Sequence, residues 1–296
     1  MLTRIFTNAL IAPADYIPKK ILRIGVKCLG IFWDSIDKLQ LQKFDLLPPL
    51  SVRMQANSNI RMSSYKKYGE FYLNYLIKNC RLKKNGKILD VGCGSGILAT
   101  PLTKYLDSQG LYEGFDLNKQ LIDWCQANIA SRYPKFNFRA INVYNGKYNP
   151  QGNINPINFK FPYANNFFDA VVLSSVFTHM LPGDVVHYLK EIARVLKRNG
   201  SCIISYMLLD PLVVRLMNKG KSAVNFKYRF GNYRTINLPR NNATYEDIIA
   251  FEQNFIHEIY IKTGFKIQEP IHYGYWSGRS NASPFHKQDI IIAKKV

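Results

Sequence analysis

The chain is short of acids. Its 296 residues hold 20 Asp and Glu against 40 Lys and Arg, a formal net charge of +20. Such an excess favours anionic partners: nucleic acid, an acidic membrane surface, or a phosphorylated or carboxylated substrate. Cysteine is scarce as well. The five residues (Cys28, Cys80, Cys93, Cys125, Cys202) are scattered, odd in number and never spaced C-x-x-C. That argues against a zinc site and a disulfide framework, and a reducing cytoplasm is the expected compartment. Asp116, Asp123 and Asp169 are dispersed and no His/Cys ligand spacing occurs, so no metal is expected. No apolar run reaches the roughly 18 residues of a membrane span. Residues 5–12 are too short an apolar run, broken by Thr7 and Asn8, to read as a signal peptide.

What is present is sharper. In Lys87-Ile-Leu-Asp-Val-Gly-Cys-Gly-Ser-Gly96 an apolar strand runs through Asp90 into three alternate glycines, Gly92, Gly94 and Gly96. A helical pattern follows at once with Ile97, Leu98 and Ala99. A strand that turns this abruptly into a helix needs residues without Cβ, so that the backbone bends and a ligand can lie against it. A dinucleotide loop, G-x-G-x-x-G, would need glycine where Ile97 stands. A second strand then ends in Asp116, followed by Leu117 and Asn118. A carboxylate at that tip can accept both hydroxyls of a ribose.

The G-x-G-x-G loop behind an acidic residue resembles motif I of the class I S-adenosylmethionine (SAM) methyltransferases. Glu191-Ile-Ala-Arg-Val-Leu-Lys-Arg-Asn-Gly200 is similar to that family's turn before strand five, with Arg198-Asn199 in place of Pro-Gly. Three further pieces resemble a bacterial subgroup acting on small molecules or glycans: Tyr144-Asn-Gly-Lys-Tyr-Asn-Pro-Gln-Gly152, Ser175-Val-Phe-Thr-His-Met180 and Tyr273-Gly-Tyr-Trp-Ser-Gly-Arg279. The resemblance spans about residues 82–295 and implies a SAM cofactor. It implies cofactor contacts at Asp90, Gly92, Cys93, Gly94 and Gly96, at Asp116 and Leu117, at Asn142 and Val143, and at Ser174. Asn142 stands where the family usually has an acid near the adenine amino group. An amide carbonyl can still accept there, without charge.

Hydrophobic periodicity predicts strands over 87–91, 111–116, 136–143, 168–174, 201–207, 265–273 and 289–294. Helices are expected over 63–80, 97–107, 118–131, 182–198 and 244–263. This alternation argues for an α/β fold: a seven-stranded, mostly parallel sheet with helices on both faces. The last two strands have no helix between them, so strand seven should be antiparallel. The resemblance implies the same. Residues 1–60 read as an N-terminal helical extension and 61–296 as the methyltransferase domain. Within the extension, 19–39 form an amphipathic pattern, with Lys19, Lys20, Arg23 and Lys27 suited to lipid phosphates. That makes peripheral membrane contact one expectation for this segment, and packing on the domain or a second subunit the other.

Ligands in open α/β sheets bind beyond the carboxyl ends of the parallel strands. Past strand four, His179 is the expected general base, since an imidazole can be neutral near pH 7. Tyr144, Phe177, Trp276 and Arg279 are the expected substrate contacts, Arg279 as a partner for a carboxylate or phosphate. Residues 206–243 interleave seven bases (Arg215, Lys219, Lys221, Lys227, Arg229, Arg234, Arg240) with Phe226, Tyr228, Phe230 and Tyr233. They read as a lid that excludes water from the transfer. The expected activity is O-methylation (EC 2.1.1.-) of a small molecule or glycan, the glycan lipid-linked if the 19–39 segment meets membrane. An RNA methyltransferase is the alternative suggested by the basic–aromatic stretch. A non-catalytic SAM-binding partner protein is the third reading.

Overall fold

A computed structural model describes residues 30–36, 46–56, 61–238 and 244–296. The chain divides into two compact units, Met1–Lys67 and Tyr68–Val296. In the first, residues 30–36 are helical, and helix α1 is Leu50–Ala56. The wholly buried Arg53 pairs with Asp34 and donates to Pro48 O at 2.7 Å. A buried guanidinium needs that much company. The Arg61 guanidinium lies 4.2 Å from the Trp33 ring centre. Of the amphipathic 19–39 segment, only 30–36 fall within the described residues; Ile31 and Phe32 there are exposed. Among the described residues no helix is long and apolar enough to cross a membrane.

Helix α2 (Met62–Cys80) carries the chain into the second unit. There follow β1 (Lys87–Val91), α3 (Ala99–Tyr105), β2 (Leu111–Asp116), α4 (Lys119–Cys125, extended by a π turn over Gln126–Ala130) and β3 (Phe136–Ala140). Next are β4 (Phe168–Leu173), α5 (Pro182–Val195) and β5 (Leu196–Tyr206). Central strands read as continuous apolar runs because helices cover both their faces. Accordingly Ile88, Leu89, Val171, Leu173, Ile203 and Ile204 are all fully buried. On α5 the apolar residues Val185, Leu189, Ile192 and Val195 recur at helical spacing and are likewise inaccessible.

The seven-stranded sheet has the order β10-β11-β5-β4-β1-β2-β3, where β10 is Phe265–Ile267 and β11 is Asp289–Lys295. The strands from β5 through β3 are mutually parallel. β11 runs antiparallel to both β5 and β10. This is the expected architecture, and the reason is the expected one: a loop suffices to join antiparallel neighbours. Register sets the site. Val91 pairs with Phe115 and with Leu173, so Gly92, Asp116 and Ser174 leave the sheet at one edge.

Two expectations need correction. The helix foreseen over 244–263 is helical only at Gln253–Lys262 (α7); a 3-10 turn, Tyr245–Asp247, and strand β9, Ile249–Glu252, precede it. Ile249, Ala250 and Phe251 are buried consecutively, which a strand between two neighbours achieves and a one-sided helix does not. Those neighbours lie in the segment read as a lid. It folds as β6 (Leu208–Leu209), α6 (Pro211–Asn218), β7 (Tyr228–Phe230) and β8 (Tyr233–Thr235). With β9 these strands form a second sheet, β6-β9-β8-β7, over a small core of Met207, Leu209, Val213, Met217, Phe226 and Trp276. Finally, the strand foreseen over 265–273 stops at Ile267. Pro270 has no N–H to offer a ladder, and pairing resumes only as a bridge between His272 and Ile290.

Candidate functional site

The glycine loop is drawn tight by β2. Gly92 N and Cys93 N both donate to Phe115 O, at 2.8 and 3.1 Å. Gly92, Gly94 and Gly96 have φ of +73°, +53° and +77°, the left-handed region that a Cβ disfavours. A Cβ on Gly92 would stand 2.5 Å from Val176 Cγ2, and one on Gly96 2.7 Å from Ile129 Cδ1. The loop is therefore a narrow cradle, closed on one side by the turn after β4 and on the other by the π turn. Helix α2 also lies directly on its exit, with the Gly69 Cβ position only 2.2 Å from Ile97 O. Gly92→Ala is expected to lower stability by about 2–3 kcal/mol, from the φ penalty plus the Val176 clash. Pairing it with Val176→Ala should recover the clash part only, and complete recovery in thermal denaturation would show that φ is not strained.

Asp116 closes the cradle. Its Oδ2 accepts from Gly94 N and its Oδ1 from Asn118 N, both at 2.8 Å. Burial raises its pKa, and those N–H donors work against the rise. Asp90 is more deeply buried and accepts from the Tyr112 hydroxyl at 2.7 Å. Burial pushes it up to about 7, with the Asp116 charge adding to the shift. The Cys93 thiol is buried and driven well up by desolvation, so this residue serves the loop through its backbone. Leu117 packs against the main core. Asn142 is exposed; its amide donates to Asn153 Oδ1 and its carbonyl accepts from Asn149 Nδ2. Val143 is buried and bridges to Ile154. Ser174 Oγ lies 3.1 Å from the Tyr68 hydroxyl of α2.

These residues fit a nucleoside-bearing cofactor. Positive-φ glycines leave no Cβ in the way, and a carboxylate beside them retains free lone pairs. Among the described residues no group of three or more His, Cys, Asp or Glu is placed to hold a metal.

His179 sits at the same edge, on the 3-10 turn Phe177–His179. Its Nδ1 is 3.0 Å from Glu246 O and its Nε2 is 3.3 Å from the Tyr148 hydroxyl. A carbonyl only accepts, so Nδ1 carries the proton and Nε2 presents a lone pair. Burial first, and then the Lys147 charge, lower its pKa to about 4, so the ring is neutral at physiological pH.

The expected substrate contacts are not brought together. Tyr144 is exposed, but Phe177 and Trp276 are each 0 % exposed. Phe177 belongs to the main core, where an apolar ring is best placed. Trp276 packs edge-on to Phe226 and donates from Nε1 to Asp289 Oδ2 at 2.8 Å. It serves as a packing residue rather than a substrate contact. Arg279 has its partner within the protein: it pairs with Asp210, and its guanidinium lies 4.0 Å from the Tyr273 ring centre. The basic–aromatic stretch is partly internal as well, with Phe226 buried and Arg234 beside Glu252; Arg240 lies outside the described residues.

Several site residues escaped sequence reasoning. Tyr68 reaches Ser174 from a helix that precedes the motif. Asn145, Tyr148 and Glu246 surround His179. Tyr148 stands within a segment already singled out, but Glu246 is 100 residues from its partner Gly146 and no local pattern announces it.

Comparison with known proteins comes to the same place. Residues 89–204 match the family model described as "Methyltransferase domain". The chain is 27% identical over 250 residues to a ubiquinone biosynthesis O-methyltransferase of Rickettsia canadensis, covering 79% of this chain and 86% of that one. It is 27% identical over 161 residues to a 2-phytyl-1,4-naphtoquinone methyltransferase of Nostoc, covering 54% and 61%. Among solved structures, the PH0226 protein of Pyrococcus horikoshii shares the fold, with a TM-score of 0.53 at 16% identity over 82% of this chain and 95% of the other.

Proposed function

We propose that this chain, a class I SAM-dependent methyltransferase, methylates a hydroxyl oxygen of a small aromatic acceptor of the quinol type. The observation that carries the reading is the His179 imidazole. It stands at the cofactor edge of the sheet, neutral and with its Nε2 lone pair presented by the Glu246 carbonyl. A hydroxyl acceptor gains from a base that takes its proton as the new bond forms. The names of the Rickettsia and Nostoc relatives support a quinone-type ring over the glycan or RNA also considered from sequence.

When bound, SAM supplies an electrophilic methyl group on a sulfonium. The chain's own residues do the rest. Gly92, Gly94 and Gly96 would let the backbone approach the ligand, Asp116 would accept the ribose hydroxyls, and Asn142 would offer its amide to the adenine. Ser174, steadied by Tyr68, borders the transfer region. Most of the rate comes from holding the acceptor oxygen in line with the methyl group, and His179 is the base on which the released proton ends.

The test is calorimetric titration with S-adenosylhomocysteine, followed by product analysis with SAM and matched aromatic alcohols, amines and thiols. Micromolar binding and methylation confined to the hydroxyl compounds are expected. Binding accompanied by transfer only to amines or thiols would end the oxygen-acceptor reading.

A further inference from the structure

The Tyr148 hydroxyl lies 3.3 Å from the reactive nitrogen of His179, and the position of Tyr148 is over-determined. Asn145 Oδ1 accepts from Lys147 N and Tyr148 N at 3.2 and 2.9 Å, while Asn145 and Asn149 exchange backbone hydrogen bonds. The buried Asn145 amide donates both to His179 O at 2.8 Å and to Glu246 Oε1 at 3.1 Å. Glu246 Oε2 accepts from Gly146 N at 3.0 Å, and a Cβ on Gly146 would lie 2.4 Å from that oxygen. One buried carboxylate thus holds the loop beneath Tyr148, while the carbonyl of the same residue sets the His179 tautomer. Tyr148 itself is 51% exposed and meets His179 edge-on, at 86° and 5.0 Å between ring centres.

Two facts give this arrangement a direction. First, the Nε2 lone pair already receives the Tyr148 hydroxyl, so an incoming acceptor meets the phenol before the imidazole. Second, burial raises the phenol's pKa, with the Asp116 and Asp247 charges adding to the rise, so the hydroxyl keeps a proton to donate. The charged groups around the pair are Lys147, whose Nζ is 5.5 Å from the Tyr148 ring centre, and Asp247, which pairs with Lys147.

We propose that Tyr148 is a catalytic residue that passes the acceptor's proton to His179. The inference rests on the oxygen-acceptor reading above. As the acceptor oxygen bonds to the methyl carbon, the carbon–sulfur bond breaks and its electron pair stays on sulfur. The acceptor's proton moves to the Tyr148 oxygen, and the phenol's own proton moves to His179 Nε2. The products are a methyl ether, a neutral thioether and an imidazolium that returns its proton to solvent past the exposed phenol. No further reagent is consumed.

Tyr148→Phe keeps the ring and removes the relay. Single-turnover methylation of a water-soluble hydroquinone should fall about 100-fold, the scale of a lost general acid–base group. Affinity for S-adenosylhomocysteine should change less than about twofold, since the variant leaves the cradle intact. Independently, 15N NMR of the histidine-labelled protein bound to S-adenosylhomocysteine should show His179 protonated at Nδ1. Its Nε2 resonance should move towards that of an unbonded acceptor in Tyr148→Phe. An unchanged transfer rate in the variant overturns the relay, and so does an Nε2 resonance indifferent to it. If the wild-type protein transfers to no hydroxyl compound, the oxygen-acceptor reading has failed, and the relay falls with it; the Nε2 shift then still reports whether the Tyr148–His179 contact exists.

Discussion

Asp116→Ala should reduce affinity for S-adenosylhomocysteine by about 100-fold or more, while the protein remains folded. The ribose offers two hydroxyl donors, and each hydrogen bond to a charged acceptor is worth about 1.5–3 kcal/mol, so losing both exceeds the roughly 2.7 kcal/mol that 100-fold represents. A second loss compounds the first. Asp116 also holds Gly94 N and Asn118 N, so alanine frees the glycine loop that must receive the ligand. Asp116→Asn should retain one acceptor and lose about 10-fold. Calorimetric titration of both variants decides the matter. Equal affinities in wild type and Asp116→Ala would remove Asp116 from the cofactor site, whatever the activity of the enzyme.

The largest stability effect is expected at Asp289. This residue begins β11 and is completely buried. Its Oδ2 accepts from Leu208 N and from Trp276 Nε1, both at 2.8 Å, and its Oδ1 accepts from Gly274 N at 2.9 Å. One carboxylate thus joins the main sheet, the first strand of the second sheet and the loop that carries Trp276. Burial pushes its pKa up to about 7, against the pull of the three N–H donors and the Arg279 charge. Alanine leaves three donors without a partner in a site too dry to replace it. At about 1–3 kcal/mol for each stranded group, the loss should reach about 4 kcal/mol or more. For a domain of this size that is a fall in Tm of roughly 8–15 °C. Calorimetric unfolding of Asp289→Ala measures it directly. A fall under about 3 °C would mean that water or a side-chain shift satisfies those donors, and that the clamp does not hold the sheets together.

Much of this protein was settled locally. The G-x-G-x-G turn, the acid ending β2 and the apolar runs of β1, β4 and β5 are short-range facts. They record where a backbone must bend without Cβ and where a strand is covered on both faces. The antiparallel β11 followed from the want of a helical pattern between it and the strand before it. From these the fold class and a nucleoside-binding turn are legible in the sequence, and the family resemblance they carry implies the SAM cofactor. Tertiary structure decided what depends on pairing across long separations. Residues 249–252 became a strand because β6 and β8 offered edges on either side, and helical periodicity cannot register a distant partner. Trp276 and Arg279 look like ligand contacts in a loop rich in aromatic and polar groups. Trp276 is a packing residue and Arg279 has a partner inside the protein because the fold brings them Asp289 and Asp210, 13 and 69 residues away. His179 was visible as a histidine after β4. Its tautomer depends on Glu246, 67 residues on, because a ring's proton goes where the surrounding fold places an acceptor.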